Sequence, residues 1–78
     1  MSTKAFIFIE TSVGKTREIA NTLKGVNGIQ SADLVTGPYD VIVVIEAEDI
    51  NAVGRLVEQR IHALSGVMRT VTCVAIGT

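Results

Sequence analysis

One cysteine, one histidine, one proline and no tryptophan occur in the 78 residues. A lone cysteine, Cys73, excludes an intramolecular disulfide and any cysteine-built metal cluster. No metal-ligand spacing surrounds the single histidine, His62, so no metal is expected. No apolar stretch approaches the ~18 residues of a bilayer span, so no membrane partner is expected. Ala5-Phe6-Ile7-Phe8-Ile9 is too short for a signal-peptide core, and no cleavage pattern follows it. A cytoplasmic location is the expectation. Seven Lys and Arg stand against eight Asp and Glu, a net charge of −1. Without a basic excess to neutralise phosphates, direct DNA binding by this chain is not expected. Linkers, charge runs and low-complexity tracts are absent, so 1–78 reads as a single domain.

What is abundant is apolar surface. Hydrophobic residues make up 47% of the chain. A domain this small buries only about 60% of its unfolded surface. The surplus points to a subunit interface. Its arrangement repeats itself. Leu23-Lys24-Gly25-Val26-Asn27-Gly28-Ile29 ends a helical pattern at glycine and opens a strand; Leu64-Ser65-Gly66-Val67 does the same. Strands are predicted over 3–10, 29–36, 40–47 and 67–76. Helices are predicted over 15–23, with Thr16, Ile19, Ala20 and Leu23 as its core stripe, and over 50–63, capped by Asp49. Cys73, between Val71 and Val74, reads as a small buried strand residue.

The order β-α-β-β-α-β predicts an α+β, ferredoxin-like domain. Its sheet is four-stranded and antiparallel, with both helices on one face and strands one and three in the centre. Both central strands are apolar on both sides, but two helices cover only one. Dimerisation through the bare sheet face is therefore expected, with Phe6, Phe8, Val41, Val43 and Ile45 at the interface.

Few residues are placed for chemistry. Cys73 and His62 are the one conceivable nucleophile–base pair, and nothing in the pattern brings them together. Gly14-Lys15-Thr16 resembles the end of a P-loop, but Ile9 stands where that motif needs its first glycine. Glu46, Glu48 and Asp49 read as a solvated loop and helix cap. Gly37-Pro38-Tyr39-Asp40 is a tight turn carrying a ring, a hydroxyl and a carboxylate. Thr70 and Thr72 put two hydroxyls on one face of the last strand. Together these could hold a zwitterion, with Asp40 on its ammonium group. The alternative is a plain turn in which Asp40 accepts backbone N–H groups. No catalytic residue and no cofactor are expected.

The segments Leu34-Val35-Thr36-Gly37-Pro38-Tyr39-Asp40-Val41 and Glu46-Ala47-Glu48-Asp49-Ile50, followed by Leu64-Ser65-Gly66-Val67 and Thr70-Val71-Thr72, resemble the Lrp/AsnC "feast/famine" transcription regulators. The resemblance is to their C-terminal effector-binding, ACT-like (RAM) domain, and it spans essentially the whole chain. It implies sheet-paired homodimers that assemble into octameric or decameric rings. It also implies a small effector, usually an amino acid, held between dimers at Gly37, Tyr39, Asp40, Thr70 and Thr72. The family's N-terminal helix-turn-helix has no counterpart here, so the chain looks like a stand-alone form of the module. Its role in transcription would then be indirect, through homo-assembly or co-assembly with a full-length regulator. Two other functions compete with sensing. One is a small dimeric α+β barrel enzyme, which would need a His, Arg or Asn directed into the sheet cavity. The other is a ligand-free structural or interaction subunit.

Overall fold

A computed structural model describes residues 2–77 of the chain. Its elements are β1 (Thr3–Thr11), α1 (Thr16–Lys24), β2 (Ile29–Leu34), β3 (Val41–Ala47), α2 (Ile50–Leu56) and β4 (Val67–Val74). The sheet is antiparallel with strand order β2-β3-β1-β4, so the two apolar strands are central. This is the expected ferredoxin-like α+β architecture.

Pairing across β1 and β3 sets which side chains share a face, because directly opposed residues project the same way. Ala5, Ile7 and Ile9 oppose Ile45, Val43 and Val41. All six are fully buried, together with Ile19, Leu23, Val53 and Ile61 from the helical layer. Each of the Ile, Val and Leu side chains among them contributes about 1.5–3 kcal/mol through burial. The other set, Phe6 and Phe8 opposite Val44 and Ile42, lies on the helix-free face and is half-exposed. Val71 and Cys73 of β4 extend that face, opposite Phe8 and Phe6.

Two expectations change as a result. Val41, Val43 and Ile45 line the helix-covered core and cannot form the bare-face interface. The residues of β3 beside Phe6 and Phe8 are Ile42 and Val44. Cys73 is exposed in the single chain rather than buried.

The helical layer departs from a simple pattern in one place. Asp49 caps α2 as expected, its carboxylate accepting from the Ala52 N–H at 2.8 Å. After Leu56 the helix widens into a π-helical segment, Val57–Ile61, closed by the His62 N–H donating to the Val57 carbonyl at 2.8 Å. The wider turn keeps both Val57 and Ile61 in the core. The two helix-to-strand joins use matched glycines. Gly28 and Gly66 have φ of 97° and 99°, a region that L side chains rarely adopt. A Cβ added at Gly66 would stand 2.8 Å from the Lys15 Cβ, too close for both. Among the described residues no helix is long and apolar enough to cross a membrane.

Candidate functional site

The 37–40 turn docks on the end of β1. The Asp40 N–H donates to the Ile9 carbonyl at 2.9 Å. The Asp40 carboxylate accepts from the Thr11 N–H at 2.8 Å and from the Thr11 hydroxyl at 3.3 Å, both on Oδ2. The Thr11 hydroxyl also meets the Thr16 hydroxyl at 2.6 Å, tying the turn to the first residue of α1. Asp40 is thus a backbone acceptor in its own fold. Tyr39 goes elsewhere. Its ring packs on Phe8, centroids 5.4 Å apart and planes tilted by 49°. That contact places it with the helix-free face. Gly37 has a φ of 106° and open space around its Cα.

Thr70 and Thr72 share a face, as their spacing requires. They oppose Ile9 and Ile7, so both hydroxyls are on the helix side of β4. The expected site is therefore divided within one chain. β1 separates the turn from β4, and Tyr39 and the threonines are on opposite faces of the sheet.

Thr72 borders a feature that the sequence did not disclose. α1 packs over β2 and β3, and α2 over β3 and β1. Neither roofs the outer strand β4. A groove of about 580 Å³ remains between α2 and β4, within the ~300–1,000 Å³ of small-molecule sites. Ile50, Val53, Gly54 and Val57 form its helical wall, and Thr72 and Val74 its strand wall. The groove is graded along its length. α2 begins beside Val74, and its continuation ends at His62, which is hydrogen-bonded to Thr70 through Nε2 at 2.8 Å. Glu58 and His62 line the groove at this polar end, next to Thr72. Ile50, Val53 and Val74 make the other end apolar. Alternation on β4 exposed the two hydroxyls; the missing roof depends on where α2 settles, which no local pattern reports.

Cys73 is on the helix-free face and His62 on the helix side, so the conceivable pair does not meet. Among the described residues no group of three His, Cys, Asp or Glu side chains could hold a metal. The charged groups of the helix-free face are peripheral, with Glu10 opposite Arg69 and Lys4 opposite Glu46.

Comparison with known proteins gives a consistent result. Residues 4–78 match the model of the Lrp/AsnC ligand binding domain. An uncharacterized HTH-type transcriptional regulator of Pyrococcus horikoshii is 32% identical over 81 residues, covering 100% of this chain and 54% of that protein. The chain thus spans about half the length of the curated regulators it matches. Part of homocitrate synthase from Saccharolobus islandicus is 30% identical over 61 residues, 78% of this chain but 13% of the enzyme. The crystal structure of FFRP-DM1 superposes with a TM-score of 0.89 at 30% identity, covering 95% of this chain and 99% of that one.

Proposed function

The chain belongs to the Lrp/AsnC ligand-binding domain family, and from that premise we propose that it is a non-catalytic module that binds a small effector, an amino acid, as a homo-oligomer. The observation that carries this reading is the groove beside β4 with Thr72 on its wall. It is a cleft of ligand size whose polar groups converge at one end. Similar segments occur within an HTH-type regulator and within an enzyme. What is common to such different proteins is a binding or assembly task rather than DNA reading or one chemical reaction.

In this reading Thr70 and Thr72 hold the effector's carboxylate by hydroxyl donation. Asp40 offers Oδ1 to the ammonium group, since both of its internal bonds use Oδ2. Within one chain β1 stands between them, so a neighbouring copy supplies the turn Gly37, Tyr39 and Asp40. The first assembly step is a homodimer through the helix-free face, and dimers then close into an octameric or decameric ring. An effect on transcription is indirect, through assembly of this module with itself or with a full-length regulator of the family.

Thermal-shift measurement against the twenty amino acids tests the reading. A ligand at ten times its Kd stabilises by about 1.4 kcal/mol. For a domain of this size that is a Tm rise of about 6–11 °C. At least one amino acid should produce it. A flat response to all twenty would leave the module without the proposed effector.

A further inference from the structure

The π-helical segment changes which side chain reaches the polar end of the groove. The helical wall is formed by Ile50, Val53, Gly54 and Val57, and then by Glu58. At about 3.6 residues per turn the next position on that line is Ile61. The wider turn over Val57–Ile61 leaves Ile61 fully buried in the core and brings His62 to the groove instead. Such segments are rare and occur frequently at functional sites. His62 is the single histidine of the chain. Its Nε2 is 2.8 Å from the Thr70 hydroxyl oxygen.

That contact limits what Thr70 can do. A threonine hydroxyl has one proton to donate and two lone pairs with which to accept. With a bare Nε2, the proton is spent on His62, and the hydroxyl turns only lone pairs towards an anion. With a hydrogen on Nε2, His62 donates, the hydroxyl oxygen accepts, and the Thr70 proton is free. Neutral imidazole can take either part; imidazolium can only donate.

We propose that His62 is a positioning residue of this site. It donates from Nε2 to Thr70, leaves the Thr70 proton for the effector's carboxylate, and so ties effector affinity to pH. The proposal rests on the amino-acid reading above and adds its control. A carboxylate at Thr70 favours the imidazolium, and by reciprocity the imidazolium favours the carboxylate. Affinity therefore rises as pH falls through the range in which histidine side chains become charged. Glu58 is the other ionisable side chain lining the groove. On β4, Arg69 and Cys73 belong to the helix-free face.

Titration calorimetry at about pH 5.5 and about pH 7.5, on either side of that range, tests this. The probe is the L-amino acid that gives the largest thermal shift among the twenty. The wild type should bind it about fivefold tighter at the lower pH, because a charge-assisted hydrogen bond is about twice as strong as a neutral one. His62→Gln, whose amide N–H can still hold Thr70, should bind like the wild type at the higher pH and lose the pH dependence. His62→Leu should bind severalfold more weakly at both. Glu58→Gln should keep the wild-type profile. With one histidine in the chain, the imidazole 15N resonances assign themselves, and in the complex the neutral ring should carry its hydrogen on Nε2. The proposal fails, with the amino-acid reading intact, if the wild type binds equally at both pH values or if His62→Gln keeps the pH dependence. It fails likewise if His62→Leu binds as the wild type does, or if the neutral ring carries its hydrogen on Nδ1. Loss of the profile in Glu58→Gln would make Glu58 the titrating group and overturn it too. If none of the twenty amino acids binds, the amino-acid reading and this proposal fall together.

Discussion

Asp40 has a duty in the fold that is separate from the ligand role proposed for it. Its Oδ2 satisfies a half-buried backbone donor at Thr11. Removing the partner of such a donor costs about 1–3 kcal/mol, and partial exposure puts Thr11 near the lower end. Asp40→Ala should therefore lower stability by about 1 kcal/mol with no ligand present, read as a lower urea midpoint at constant m-value. An unchanged midpoint would contradict the assigned bond. Loss of affinity beyond this cost is then the measure of its proposed role towards an ammonium group. Gly66 makes a sharper case. Its positive φ and the Lys15 side chain at 2.8 Å leave no place for a methyl group. Gly66→Ala should destabilise by about 1–3 kcal/mol, visible in thermal melting. These glycine roles were partly legible. The two helix-to-strand joins each placed a glycine just before a β-branched residue, Gly28 before Ile29 and Gly66 before Val67, and Thr70 and Thr72 shared a face by simple alternation. Tyr39 was not legible, because turn residues follow no period and its ring could have faced either side of the sheet.

The helix and strand patterns explain the rest of what could and could not be foreseen. Asp49 at the head of α2 was a plain cap signal, and its bond to the Ala52 N–H is present. Asp49→Ala should cost about 0.5–2 kcal/mol in chemical denaturation; a cost below that range would mean that water replaces the cap. The π-helical segment left only a faint trace. Val53, Val57 and Ile61 are buried at successive steps of four, slightly wider than the α-helical period of about 3.6. Leu56 fills the alternative position well enough to hide the difference. β3 was opaque for another reason. Val41 to Ile45 are all apolar, so period two gives no contrast between its faces. Only the register against β1 decides that Val41, Val43 and Ile45 point inward and Ile42 and Val44 outward.

Taken whole, the molecule has one sheet face under helices and one apolar face bare. Phe6, Phe8, Ile42, Val44, Val71 and Cys73 share the bare face. Phe8→Glu at its centre should convert the proposed dimer to a folded monomer of about half the mass in light scattering; a wild type that is already monomeric at micromolar concentration would remove the premise. Cys73 is a built-in reporter, and thiol alkylation should be slow in the wild type and fast in Phe8→Glu. With a net charge of −1, the pure protein should give no sequence-specific shift of duplex DNA at physiological salt. The pairing of β4 with β1 has a further, kinetic consequence. Ala5 opposes Val74, nearly the whole chain away, so closing this ladder carries the largest loop-closure entropy in the fold. β4 is then the last strand to dock and the first to leave, with folding φ-values near zero. Val74→Ala, at a cost of about 1 kcal/mol, should speed unfolding about fivefold and leave the refolding limb of the chevron in place. Because the groove exists only while β4 is docked, its occupant would act as a latch, slowing escape from the native state without hastening arrival.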